Sequence, residues 1–236
     1  LRLLFCSKVQ FQNFRFIQHD PETTMTAATL ELATLYRTPS DLMPPLTRQT
    51  IAATLPGVDR LVLAGFMGSG KTTIGALLAE RLGWKFLDLD VEIERRAGRR
   101  VPQIFAESGE AQFRRMEASA LASVLGRRRL VLALGGGAPE ELGNRLLLEQ
   151  TPHTAVIYLA APFATLVERC VLQENATERP VLADRAAAAR RFESRQLHYA
   201  RIASHTVETA ALDAEATVQA VLALLEQREP GSESRP

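Results

Sequence analysis

Apolar positions along the chain fall into short blocks of two kinds. Leu61-Val62-Leu63-Ala64, Leu130 to Leu134 and Ala155 to Leu159 are continuous apolar runs. Such runs are the pattern of parallel strands covered on both faces. Trp84 to Leu89 reads as a further strand, and His205 to Val207 as a short final one. Between the runs lie stretches with helical character. They predict helices over Ile74 to Leu82, Val91–Gly98 and Glu110–Leu125, the last stopped at Gly126. Further helices are predicted after Pro162, over Ala186 to Ala203 and over Asp213 to Leu225. Strands that alternate with helices predict an α/β domain, a parallel sheet with helices on both faces.

The N-terminal part lacks this rhythm. Leu1 to Asp20 mixes phenylalanine, glutamine and basic residues without a period, and it has no continuous apolar stretch followed by a small-residue cleavage site. Pro39, Pro44, Pro45 and Pro56 punctuate the later part of this region, leaving room for one short helix over Thr26 to Arg37. The chain does not begin with Met, and Met25 is a candidate start. The pattern therefore predicts a partly disordered extension over 1–57, a folded domain over 58–228 and a disordered tail over 229–236.

Composition narrows the function classes. Hydrophobic residues make up 46% of the 236, enough for a sizeable core. The 28 basic and 27 acidic side chains leave a net charge of +1, so bulk electrostatics gives no support for nucleic-acid binding. Cys6 and Cys170 lie far apart, and His19, His153, His198 and His205 are scattered, so no metal-ligand spacing or disulfide framework emerges. Two thiols of this kind fit a reducing cytosol. No apolar run reaches the length of a membrane span.

One segment carries a specific chemical demand. Gly65-Phe66-Met67-Gly68-Ser69-Gly70-Lys71-Thr72 fits G-x-x-x-x-G-K-[ST], follows a predicted strand and opens a predicted helix. Backbone amides of such a loop converge on phosphates, and the helix N-terminus adds oriented donors. The candidate nucleotide contacts are Gly68, Ser69, Gly70, Lys71, Thr72 and Thr73. Lys71 reaches toward the β- and γ-phosphates, and the Thr72 hydroxyl is a candidate Mg²⁺ ligand. The motif by itself says nucleoside triphosphate, because GTPases, ATPases and translocases share it with kinases.

Asp88-Leu89-Asp90 closes the second predicted strand. Residues two apart on a strand share a face, so both carboxylates are expected to face the cleft beyond the strand ends. One carboxylate supports Mg²⁺ and the other orients, or deprotonates, an acceptor hydroxyl. Without the glycine-rich loop the pair would read equally well as a solvated strand end.

At this point the chain resembles the shikimate kinases, and the resemblance runs through further motifs in order. Phe86-Leu87-Asp88-Leu89-Asp90 is similar to that family's F-x-D-x-D box, which implies Asp88 near Mg²⁺ and Asp90 on the acceptor hydroxyl. Phe113-Arg114-Arg115-Met116-Glu117 resembles its F-R-x-x-E element. A helix puts Arg114 and Glu117 on one face, Arg114 toward a substrate carboxylate and Glu117 toward Arg114 and a ring hydroxyl. Alone, such a pair is an ordinary surface ion pair. Gly135-Gly136-Gly137 resembles the triplet that lies against the shikimate ring, with Gly136 as the assigned contact. Glu178-Arg179-Pro180-Val181-Leu182 resembles the family's lid element, with Arg179 over the phosphates and the lid near 173–185. Arg195-Gln196-Leu197-His198-Tyr199 resembles R-x-x-L-Y except that His198 stands where leucine is usual, and Arg195 becomes the second arginine on the acceptor carboxylate. Arg169 lies near where the family has an arginine stacking on adenine, with a longer spacing to Arg179 than in some members.

The resemblance implies a three-layer α/β/α P-loop kinase fold with a parallel five-stranded sheet and a lid. It implies ATP and Mg²⁺ as cofactors, shikimate as substrate, and phosphoryl transfer to the 3-hydroxyl in aromatic amino acid biosynthesis. The catalytic set is then Lys71, Asp90 and Arg179, in a cytoplasmic monomer with no nucleic-acid or membrane partner. Two other readings stay open. One is a kinase of another hydroxyl acceptor such as gluconate, although Arg114, Arg195 and the glycine triplet favour a compact cyclic carboxylate. The other is a non-catalytic binding regulator on the same fold, which would be free to lose Lys71 or Asp90, yet both are present.

Overall fold

The apolar runs pair into a single sheet. The computed structural model describes residues 55, 57–172 and 184–226. The extension with its Thr26 to Arg37 helix, Met25, Cys6 and His19 lie outside the described residues, as do the tail, Arg179 and nearly all of the expected lid. The strands are β1 (Arg60–Ala64), β2 (Lys85–Asp88), β3 (Leu130–Ala133), β4 (Thr154–Ala160) and β5 (His205–Glu208). They are all parallel, in the order β2-β3-β1-β4-β5. Val62 stands opposite Leu132 on one side and Val156 on the other.

The sheet is buried on both faces because alternate residues of β1 feed two cores. Val62 and Ala64 join one cluster with Leu132, Val156, Leu121 and Tyr199. Leu61 and Leu63 join the other with Val131, Ile157, Leu78 and Val221. Helix α1 (Lys71–Leu82) and helix α7 (Ala214–Glu226) supply the second face. Helix α3 (Val101–Leu125), α4 (Leu142–Gln150), α5 (Phe163–Val171) and α6 (Arg185–Ile202) contribute to the first. Among the described residues no helix is long and apolar enough to cross a membrane.

Two boundaries and one whole helix stand out against the sequence pattern. Strand β2 ends at Asp88, and helix α2 (Leu89–Ala97) starts at once, because the Asp88 side chain caps it by accepting from the Asp90 amide. Helix α3 begins at Val101, with Pro102 in its first turn, and two helical runs join across Gly109 at φ 76. The glycine and the exposed first turns hide the early run from an apolar-period reading. Helix α4 has no counterpart in the apolar pattern. Its buried positions are Leu148 and Asn144, a polar residue, while Leu142 and Leu146 face out. Asn144 is buried because its Nδ2 donates to the Ala138 carbonyl at 3.0 Å.

With β1 flanked by β3 and β4, the chain reverses its winding direction beside β1. In open α/β sheets the crevice beyond the strand ends at such a point is where ligands bind. The segments after β1, β2 and β3 all leave from this edge, and they are Gly65 to Gly70, Asp88 to Asp90 and Gly135 to Gly137.

Candidate active site

The loop after β1 is shaped by glycines with no alternative. Gly68 has φ 77, and a Cβ there would lie 2.3 Å from the Leu166 carbonyl oxygen. Gly70 has φ 86 and is the N-cap of α1. These turns bring the chain to the helix start, where amides without intrahelical partners and the helix dipole favour an anion. Lys71 curls back over the loop, its Nζ donating to the carbonyls of Gly65 at 2.8 Å and Phe66 at 3.0 Å. A cavity of about 320 Å³ adjoins the loop, lined by Gly68, Ser69, Gly70, Thr73 and Arg169 among others. Arg169 is held in its wall by Thr209, donating from Nη1 to the hydroxyl at 3.0 Å and from Nη2 to the carbonyl. Sequence reasoning singles out Arg169 but has no signal for Thr209, which follows β5 and is buried, its amide donating to the Ala160 carbonyl at 2.8 Å.

The two aspartates come together by a different route from the one the pattern suggests. They do not share a strand face, because Asp88 ends β2 and Asp90 lies in the first turn of α2. Asp88 divides its oxygens: Oδ2 accepts from the Thr72 hydroxyl at 2.9 Å, and Oδ1 from the Asp90 amide at 3.0 Å. The cap therefore links the phosphate loop to Asp90. The Asp90 carboxyl is pushed up to about 6, by burial first and by the Asp88 charge second, with Lys71 pulling it down.

The glycine triplet lies beneath the charged side chains of α2, α3 and α6. None of its three residues has positive φ, so their role is to leave room. A Cβ on Gly135 would stand 2.7 Å from Asp90 Oδ1 and 3.0 Å from Glu117 Oε1. On Gly136 it would be 3.6 Å from Arg195 Nη1 and 3.7 Å from Tyr199 Oη. On Gly137 it would be 2.5 Å from Arg114 Nη2. Each glycine faces a different side chain, and the tightest approaches are at Gly135 and Gly137, which sequence reasoning does not single out.

Helix α3 presents Arg114 and Glu117 three residues apart, with Nη1 and Oε2 at 2.8 Å. Glu117 is only 1% exposed. Burial pushes its carboxyl up to about 7 despite the opposing pull of Arg114. Arg114 also meets Glu110 at 3.1 Å. From α6, Arg195 Nη2 donates to Glu140 Oε2 at 2.8 Å, and Tyr199 donates to the Gly136 carbonyl at 2.6 Å. Burial raises the Tyr199 phenol and keeps it a donor. His198, the departure from the motif, points to Arg145, its Nδ1 3.4 Å from Nη1. The structure thus gathers Asp88, Asp90, Arg114, Glu117, Gly136 and Arg195 at one edge of the sheet, beside Lys71 and Thr72. Arg179 lies outside the described residues. Glu140, which no motif marks, stands between the two arginines.

The chain is similar to known proteins over most of the described residues. The model of the shikimate kinase family matches residues 67–226. The shikimate kinase of Nitrosomonas europaea is 44% identical over 138 residues, which is 58% of this chain and 62% of that protein. That of Synechococcus elongatus is 40% identical over 179 residues, covering 75% of this chain and 90% of its own. Among solved structures, a shikimate kinase from Acinetobacter baumannii in complex with shikimate superposes with a TM-score of 0.67 at 36% identity, covering 74% of this chain and 96% of that one. The shikimate kinase of Bacteroides thetaiotaomicron gives 0.66 at 31% identity, covering 71% and 98%.

Proposed function

The chain belongs to the shikimate kinase family, and on that premise we propose that it transfers the γ-phosphoryl group of ATP to the 3-hydroxyl of shikimate. The observation that carries the reading is the hydrogen-bonded run Thr72–Asp88–Asp90. It couples the phosphate loop to the carboxyl proposed to hold the acceptor, so the two reactants would meet at one strand edge.

Each residue has work that its surroundings allow. Gly68, Ser69, Gly70, Lys71, Thr72 and Thr73 hold the phosphates, and the Lys71 ammonium leaves the Gly65 and Phe66 carbonyls to meet the β- and γ-oxygens. Arg169 borders the cavity that would receive the base. Arg114 and Arg195 receive the acceptor carboxylate, Glu117 orients Arg114 and a ring hydroxyl, and Gly136 lies against the ring. Asp90 accepts the proton of the 3-hydroxyl as its oxygen bonds to the γ-phosphorus and the bond to the β-phosphate oxygen breaks. A carboxyl raised to about 6 is a stronger proton acceptor than an ordinary aspartate while still ionised at neutral pH. Arg179 is assigned to the spreading phosphoryl charge.

The Thr72 hydroxyl and the Asp88 carboxylate, 2.9 Å apart, are oxygen donors of the kind Mg²⁺ accepts, one or two from protein with phosphate and water completing the shell. When bound, the ion would neutralise charge on the β- and γ-phosphates.

A coupled assay of ADP release tests the reading, comparing shikimate, quinate, gluconate and no acceptor. Stimulation by shikimate alone is expected. Stimulation by gluconate in its place would overturn the acceptor assignment. ATP binding with no stimulation by any acceptor would favour a non-catalytic regulator.

A further inference from the structure

Arg114 and Arg195 reach the acceptor site from different helices, and between them already sits a carboxylate. Glu140 Oε2 lies 2.8 Å from Arg195 Nη2 and 3.8 Å from Arg114 Nη2. The two arginine side chains are 14% and 15% exposed, while Glu140 is 33% exposed. Two guanidinium groups that share one carboxylate repel less with that anion between them, even though Arg114 is also paired with Glu117 and Glu110. Glu140 is that anion in the chain by itself, and it is in the position that the proposed function gives to the acceptor's carboxylate.

Two features make it a temporary occupant. Glu140 engages Arg195 through one nitrogen, and the buried Arg195 Nε has no hydrogen-bond partner among the described residues. The contact therefore falls short of the two-point pairing that a guanidinium and a carboxylate can reach. The Glu140 backbone is fixed independently: its amide donates to the Gly137 carbonyl at 2.9 Å, and its own carbonyl accepts from Arg145 Nη1 at 2.8 Å. The side chain can swing to solvent without unravelling the turn that carries the glycine triplet.

We propose that Glu140 is an internal stand-in for the acceptor carboxylate, holding Arg114 and Arg195 together in the free protein and yielding its place when a small carboxylate binds. This deepens the proposed function and rests on it for the identity of the natural acceptor. A carboxylate acceptor displaces the stand-in, whereas a neutral acceptor, with no charge to offer the arginines, leaves Glu140 in place. Glu140 is thus a specificity-determining residue that the phosphate chemistry does not touch.

The test is binding to the full chain by calorimetry, with shikimate, benzoate and benzamide as probes, for the wild type, Glu140→Gln and Glu140→Asp. Glutamine keeps the size and removes the charge. Aspartate keeps the charge but withdraws it from Arg195. Shikimate and benzoate are expected to bind Glu140→Gln about threefold to tenfold more tightly, the range of one partly exposed charge pair. Glu140→Asp should tighten less, and benzamide should not change. In turnover the gain should fall on KM for shikimate rather than on kcat. Unchanged or weaker binding of both acids in the two variants would overturn the proposal, since Glu140 would then be part of the binding frame. The two readings fail separately. Tighter benzoate binding with no turnover of shikimate would sink the assigned acceptor and spare the stand-in. Normal turnover of shikimate with unchanged acid binding would sink the stand-in alone.

Discussion

The proposed phosphate side and the proposed acceptor side of the cleft are built on opposite plans. Gly65 to Thr73 is one contiguous stretch, and its proposed role rests on backbone direction: positive φ at Gly68 and Gly70, a helix start, and a lysine folded over its own loop. The acceptor side draws on four segments far apart in sequence, with Asp90 from α2, Arg114 and Glu117 from α3, the glycine triplet after β3 and Arg195 from α6. Its function resides in charged side chains, and the glycines serve by being small. Any triphosphate presents the same anionic chain, which a fixed array of amides suits. An acceptor must be told from its analogues, and that needs side chains whose charge and spacing can differ from one kinase to the next. Asp88 joins the two sides through a single carboxylate.

The sharpest way to break this division is Asp90→Asn. Turnover is expected to fall by about 100-fold to 10,000-fold, the usual loss when a proton acceptor is removed, while ATP affinity stays near that of the wild type. Near-normal turnover would sink the assigned role. Lost ATP binding would show that the two sides are not separable.

A smaller effect separates the glycines from one another. A Cβ at Gly137 would push into the Arg114 guanidinium at 2.5 Å, whereas at Gly136 it finds 3.6 Å to Arg195. Gly137→Ala should raise KM for shikimate by about tenfold to 100-fold through the displaced arginine, and Gly136→Ala by much less. Equal penalties at both would mean that the triplet is needed for its flexibility and not for room. Nucleotide affinity should be unmoved in both variants.

The smallest effects are in pH dependence. Asp90 at about 6 and Glu117 at about 7 both lie above their ordinary values, and their carboxyls face each other across Gly135. They titrate as a pair, so kcat/KM for the acceptor should rise with pH through the range 6 to 7 as Asp90 ionises. A flat profile there would remove Asp90 as the proton acceptor. Stability runs the other way. The folded protein holds protons on these groups that the unfolded chain has already released, so their contribution is fully present below about pH 4 and is lost as pH rises through 6 to 7. Glu117→Gln takes one group out of that balance. Its melting temperature relative to the wild type should therefore be more favourable at pH 8 than at pH 5. A difference that did not grow with pH would contradict the burial-driven shift.

Much of this is legible along the chain. Continuous apolar runs mark β1, β3 and β4 because strands buried on both faces leave no polar positions. The glycine-rich loop is legible because its spacing is a local backbone requirement, and Arg114 with Glu117 because three residues is a turn of helix. Strand alternation misleads at Asp88 and Asp90: the chain changes from strand to helix between them, and only the Asp88 cap reveals that. Helix α4 escapes the pattern because a buried Asn144 and exposed Leu142 and Leu146 invert its apolar face.

Features set by neighbours within a few residues are written along the chain: strand runs, the phosphate loop, helical pairs and, through the order of its motifs, the family. Which residues meet across the cleft is set by the fold. Glu140 between two arginines, and Gly135 and Gly137 under Asp90, Glu117 and Arg114, are contacts between segments brought together by the sheet order. No local period records them, because their energy depends on distances that exist only once the strands have paired.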